Sequence, residues 1–151
     1  MKGFTKREQA VIDRAHEIIA ESMQTYDVTL TSPDASTRLI QLRLAGKQRE
    51  VFTVLFLNAQ HQLIVAEDMF QGTLDGAAVY PREVVKRALE LNAAAVILGH
   101  NHPSGVATPS QADKRITERI SAALGLVDIR VLDHVIVAGT ESVSFAQDGL
   151  L

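Results

Sequence analysis

His100 and His102, separated by Asn101 and followed by Pro103, place two imidazoles one residue apart, and a carboxylate, Asp113, follows ten residues later. Together they can supply three metal ligands. A site with three protein ligands keeps a fourth position for water, the arrangement of catalytic rather than structural zinc. A divalent ion lowers the pKa of such a water from 15.7 to about 7, which makes hydroxide available at neutral pH. The chemistry these residues suggest is metal-dependent hydrolysis. With no cysteine in the chain, any ligand set must come from His, Asp and Glu.

The elements around this tract bear on whether it can close on one ion. Ala95 to Leu98 reads as a short central strand that ends at the histidine pair, and 101–107 as a loop punctuated by Pro103 and Gly105. In extended backbone, residues two apart point to one side, so both imidazoles can face the same ion. Thr108-Pro109 is expected to cap the next helix, which Gly125 ends. On that helix Asp113 shares a stripe with Ile116 and Ile120, so it should face inward. A carboxylate there is costly unless paired or bound to metal. Ser110, one turn earlier, either aims its hydroxyl into the pocket or simply satisfies free amides at the helix start.

Hydrolysis through an activated water needs a proton acceptor, commonly Glu. Glu50 is the best-placed candidate, at the start of the β-branched and aromatic run Val51 to Leu57; the alternative is an exposed strand-edge carboxylate. Spacing leaves Glu67, Asp68 and Glu83 open as well. His16 and His61 read as solvated. His134, beside Asp133, reads as a hydrogen-bonded structural histidine rather than an outer partner of a ligand.

The rest of the chain supplies a frame. Thr5 and Glu8 form a capping box ahead of a helix with Val11, Ala15, Ile18, Ile19 and Met23 on one stripe. Ser32-Pro33 opens a second helix, with Leu39 and Leu42 as its buried side and Gly46 as its stop. Gln62 to Phe70 returns as a strand beside Val51 to Leu57, and Gly72 to Ala78 is loop. Tyr80-Pro81 starts a helix through Leu91. Three strands, Val127 to Leu132, His134 to Ala138 and Val143 to Phe145, finish the chain. Mixed strands and helices at this length predict one α/β or α+β sandwich. The only boundary falls near Tyr26-Asp27, which separates a helical extension, 1–27, from the main unit, 28–151.

Composition narrows the classes. At 46% apolar and 22% charged residues the chain is globular, and its longest apolar stretch, Ala93 to Leu98, is too short to span a bilayer. The charged start resembles no signal peptide, and the lack of cysteine fits the cytoplasm. Net charge is −3, and no run of Lys or Arg exceeds a pair. Duplex DNA should therefore bind only weakly and nonspecifically, with Kd ~10⁻⁴–10⁻⁶ M.

His100-x-His102-Pro103, the residues up to Pro109, and then Ser110-x-x-Asp113 resemble the JAMM motif of JAB/MPN metalloproteases. Glu50-Val51-Phe52 is similar to that family's upstream catalytic Glu. The wider text, YPREVVKRALELNAAAVILGHNHPSG, PSQAD and LVDIRVLDHVIV, resembles the RadC-like branch from about Val28 to Leu151. Asn101 departs from the Ser or Thr typical of deubiquitinating members and agrees with the branch's HNHP. That branch also carries an N-terminal helix-hairpin-helix region, for which this length has no room, so the likeness is to its short, often prophage-encoded form. The resemblance implies a cytidine deaminase-like sandwich, one zinc on His100, His102 and Asp113, Glu50 as general base and acid, and Ser110 steadying the oxyanion. It implies a peptide or isopeptide substrate and leaves self-association open. Two other readings compete: a DNA-repair or mobile-element module whose metal is structural or vestigial, and a nuclease. Two-metal phosphodiester chemistry wants a second cation ~3.5–4 Å from the first, and no second carboxylate set is evident.

Overall fold

The computed structural model describes residues 3–23, 29–72 and 79–151. The expected boundary at Tyr26-Asp27 and most of the expected loop after Gly72 lie outside them. The elements run α1 (Lys6–Met23), α2 (Pro33–Leu44), β1 (Val51–Leu57), β2 (Leu63–Gln71), α3 (Pro81–Glu90), β3 (Ala95–Asn101), α4 (Gln111–Gly125), β4 (Arg130–Ala138) and β5 (Glu141–Ser144). The strands form one mixed sheet in the order β2-β1-β3-β4-β5, antiparallel except for the β3/β4 pair, which α4 connects.

Strand alternation divides the interior in two. Phe52, Val54 and Phe56 of β1 and Val96 and Leu98 of β3 point to one face, where Val84 and Ala88 of α3 and Ile116, Ile120 and Leu124 of α4 cover them. Leu55 and Leu57 of β1, Ala95 and Ile97 of β3, and Val135 and Val137 of β4 point to the other, against Ile40 and Leu44 of α2. Every residue of β1 and β3 is buried, as expected of strands covered on both sides. The result is the predicted sandwich of a mixed sheet flanked by helices. Gly99 is required by this packing, since a Cβ there would lie 2.9 Å from Ile40 Cδ1.

Several local expectations hold. Thr5 and Glu8 exchange the two capping-box bonds, and the Ser32 side chain accepts from the Ala35 amide at the start of α2. Gly46 follows α2 in the left-handed region, with φ +74°. Other expectations need correction. Leu39 is half-buried against the core as expected, but Leu42 is 48% exposed, and the buried residues of α2 are Ser36, Ile40 and Leu44. Val11 and Ile18 of α1 are exposed as well. His16 is not merely solvated, because its Nε2 meets the Leu42 carbonyl. β4 is continuous where two strands were expected, and β3 runs through His100 to Asn101 rather than stopping at Leu98. Among the described residues, no helix is long and apolar enough to cross a membrane.

Candidate metal centre

The site forms where β3 ends and α4 begins. Leu98 and His100 share a side of β3, so the His100 ring continues the apolar row under α4 and stacks 6.1 Å from Phe52. His102 follows on the same side. α4 starts with a capping box: the Asp113 amide donates to Ser110 Oγ at 3.0 Å, and the Ser110 amide donates to Asp113 Oδ2 at 2.7 Å. The N-cap is therefore Ser110, not Thr108. A Pro at N1 favours Thr108, but only Ser110 has a carboxylate three residues on to close the box. The cap turns Asp113 inward, 1% exposed, on a stripe with Ile116, Thr117 and Ile120.

The three expected ligands meet. His100 Nε2 lies 2.9 Å from His102 Nε2 and 3.1 Å from Asp113 Oδ1, and His102 Nε2 lies 3.2 Å from Asp113 Oδ2. Tetrahedral geometry with bonds of ~2.0–2.1 Å separates ligand atoms by about 3.3 Å. A zinc-sized ion thus fits with a small widening of this triangle. These side chains make up the metal-capable group found among the described residues.

Burial pushes the His100 imidazole toward its neutral form, against the opposing pull of Asp113. The hydrogen bond to Asp113 raises His102 above its ordinary value, outweighing partial burial. Burial pushes the Asp113 carboxyl up, yet its bonds with His100 and His102 prevail and hold it far below the usual carboxylate range. A buried carboxylate must be paired, hydrogen-bonded or bound to metal, and Asp113 faces two imidazole nitrogens and the Ser110 amide.

Of the candidate carboxylates, Glu67 takes a forked contact from Arg87 at 2.6–3.0 Å, and Asp68 pairs with Arg43 at 2.9 Å. Glu50 is different, because its charge acts on both His100 and His102. The β1/β3 register sets Phe52 opposite His100, which brings Glu50 level with His102. Asn101 holds this edge. Its side chain, on the α2 face, accepts from the Val51 amide at 2.7 Å and donates to the Arg49 carbonyl at 2.9 Å and the Lys47 carbonyl at 3.3 Å. Those contacts grip the backbone on either side of Glu50. One acceptor and two donors in one short side chain is what an amide offers and a serine hydroxyl cannot. Asn101→Ala is expected to cost about 1–3 kcal/mol, the penalty of leaving a buried backbone group unsatisfied. Chemical denaturation with unchanged midpoint and slope would contradict this.

Two further polar residues adjoin the site: His134, for which the sequence favours a structural role over an outer partner, and Thr117, which it does not single out. His134 is fully buried and bonds through its ring to His100 Nδ1 at 2.7 Å; Asp133 holds only its backbone amide. His134 therefore touches an expected ligand and is more than a structural histidine. Thr117 meets the far side of the same ring at 2.6 Å. A buried Thr four residues after Asp113 on one helical stripe was the available signal.

Comparison with known proteins follows the same lines. The profile of the RadC-like JAB domain matches residues 30–150. A UPF0758 protein of Vibrio campbellii is 57% identical over 141 residues, one of Vibrio vulnificus 58%, and one of Aliivibrio fischeri 55%, each match covering 93% of this chain. The chain spans 62% of the length of these relatives. With that profile matched over residues 30–150, a span that holds all five strands of the sheet, the chain belongs to the RadC-like JAB domain family.

Proposed function

We propose that this protein is a zinc-dependent hydrolase, a metallopeptidase that cleaves a peptide or isopeptide bond. The observation that carries the reading is the convergence of His100, His102 and Asp113 within 2.9–3.2 Å of one another, with the charge of Glu50 beside them. When bound there, a divalent ion supplies Lewis acidity and a water acidic enough to attack at neutral pH. Imidazole and carboxylate ligands suit zinc, and a small widening of the observed separations would accommodate its bond lengths.

Glu50 takes the proton of the attacking water and returns it to the leaving amine, the exchange that general acid–base catalysis requires. Asn101 keeps the backbone on both sides of Glu50 in place while this happens. Ser110 steadies the oxyanion: its oxygen accepts the Asp113 amide, and its own proton can turn toward developing negative charge. Residues 28–151 carry the activity, and α1 belongs to the segment that precedes them. The partner is a protein or peptide chain; net charge −3 disfavours tight binding to duplex DNA.

Ser110→Ala separates its two roles. As N-cap it should cost about 1 kcal/mol of stability when removed. The catalytic role adds a fall in kcat of roughly 10²–10³ with metal content unchanged. A lower melting temperature with normal kcat would confine Ser110 to capping. The substrate class is tested by incubating the zinc-loaded protein with peptide and isopeptide libraries, with and without chelator. Chelator-sensitive cleavage supports the proposal; cleavage of nucleic acid alone would overturn it.

A further inference from the structure

Behind the expected ligands lies a buried chain of polar groups whose proton order can be worked out from one end. Thr117 Oγ1 donates to the Asp113 backbone carbonyl at 2.6 Å, and it also lies 2.6 Å from His134 Nδ1. His134 Nε2 in turn lies 2.7 Å from His100 Nδ1. A carbonyl oxygen only accepts, so the single Thr117 hydroxyl proton points to Asp113. The Thr117 oxygen must then accept from His134, which places that ring's proton on Nδ1.

A neutral imidazole carries one ring proton, and with that proton on Nδ1 the buried His134 ring presents a lone pair at Nε2 to His100. It accepts from His100 Nδ1. His100 Nε2 is left with its lone pair facing His102 and Asp113. The reverse order would set the Thr117 oxygen against the Asp113 carbonyl at 2.6 Å with no proton between them. His102 reaches the same state separately, because its Nδ1 lies 2.8 Å from the Val106 carbonyl and must donate there.

We infer that His134 and Thr117 are positioning residues that fix the tautomer and orientation of His100, and through it the affinity of the site for its metal. The inference rests on the metal-centre reading above. Packing holds the plane of the His134 ring, which is stacked 4.7 Å from Phe145 and edge-on to Phe52 at 5.6 Å, and a flip within that plane would put carbon where both nitrogen contacts now lie. The chain also closes on itself. It leaves His100, passes through His134 and Thr117, and ends on the backbone of Asp113. Two expected ligands, on β3 and α4, are thereby tied through one buried path.

Thr117→Val keeps the side-chain shape and removes the hydroxyl; Thr117→Ser keeps the hydroxyl. Zinc affinity measured by competition with a chromogenic chelator should fall 10–100-fold in the valine variant, the usual effect of losing an outer partner of a metal-binding histidine. The serine variant should stay close to wild type. Nitrogen-15 shifts of the zinc-loaded wild type should place protons on Nδ1 of both His100 and His134, a readout that needs no variant to fold. Equal affinity in Thr117→Val and wild type, or a His134 proton on Nε2, overturns the inference and leaves the metal site standing. Failure of the wild type itself to bind zinc removes the metal reading, and this inference with it.

Discussion

Glu50→Gln should keep its full complement of metal and lose its hydrolytic turnover, by roughly 10²–10⁴-fold, the usual contribution of a general acid–base group. Glu50 stands apart from the three converging side chains, yet its charge is felt by both imidazoles. The substitution preserves shape and removes the negative charge and, with it, the ability to take a proton. Asn101 grips the backbone rather than the carboxylate, so the variant loop should stay where it is. Metal analysis and kinetics on one preparation check both halves. A variant that sheds metal as readily as His100→Ala would make Glu50 a ligand, and the assignment of roles would fail.

Asp113→Ala should empty the site and weaken the fold at once. The carboxylate holds both imidazoles within 3.2 Å and also closes the capping box through the Ser110 amide. Metal content should fall from one ion per chain toward none, and the lost cap should cost about 1 kcal/mol. Asp113→Asn separates these effects, because an amide oxygen can still accept from the Ser110 amide but brings no charge to the ion. It should lose metal while melting close to the wild type in the presence of chelator. An Asp113→Ala protein with full metal content would contradict the ligand assignment.

Much of this site was legible in the sequence because its parts are local. His100 and His102 alternate on one strand, and the inward face of α4 follows from the period of Ile116 and Ile120. The buried run Val51 to Leu57 marked the strand that Glu50 precedes. The contact between His134 and His100 depends instead on pairing across the chain. His134 reaches His100 only because β4 lies parallel to β3 with a register shift between Val96 and Ile97 that sets His134 opposite Leu98. No pattern within β4 announces that register. The start of α4 was misread for a different reason: Thr108-Pro109 obeys the cap rule, but the Ser110–Asp113 box competes for the same amides and prevails. Leu42 fits an apolar period yet faces solvent, since the period of α2 is weak and Ile40 and Leu44 already fill the space above β3 and β4.

The most direct measurement is the metal content of the purified protein, by elemental analysis after gel filtration, alongside X-ray absorption at the zinc edge. The account predicts one zinc per chain, two nitrogen ligands at ~2.0–2.1 Å and carboxylate oxygen at ~2.0–2.2 Å, with the signal abolished in His100→Ala. A protein that stays metal-free after incubation with equimolar zinc, or that holds its zinc unchanged in His100→Ala, would contradict it.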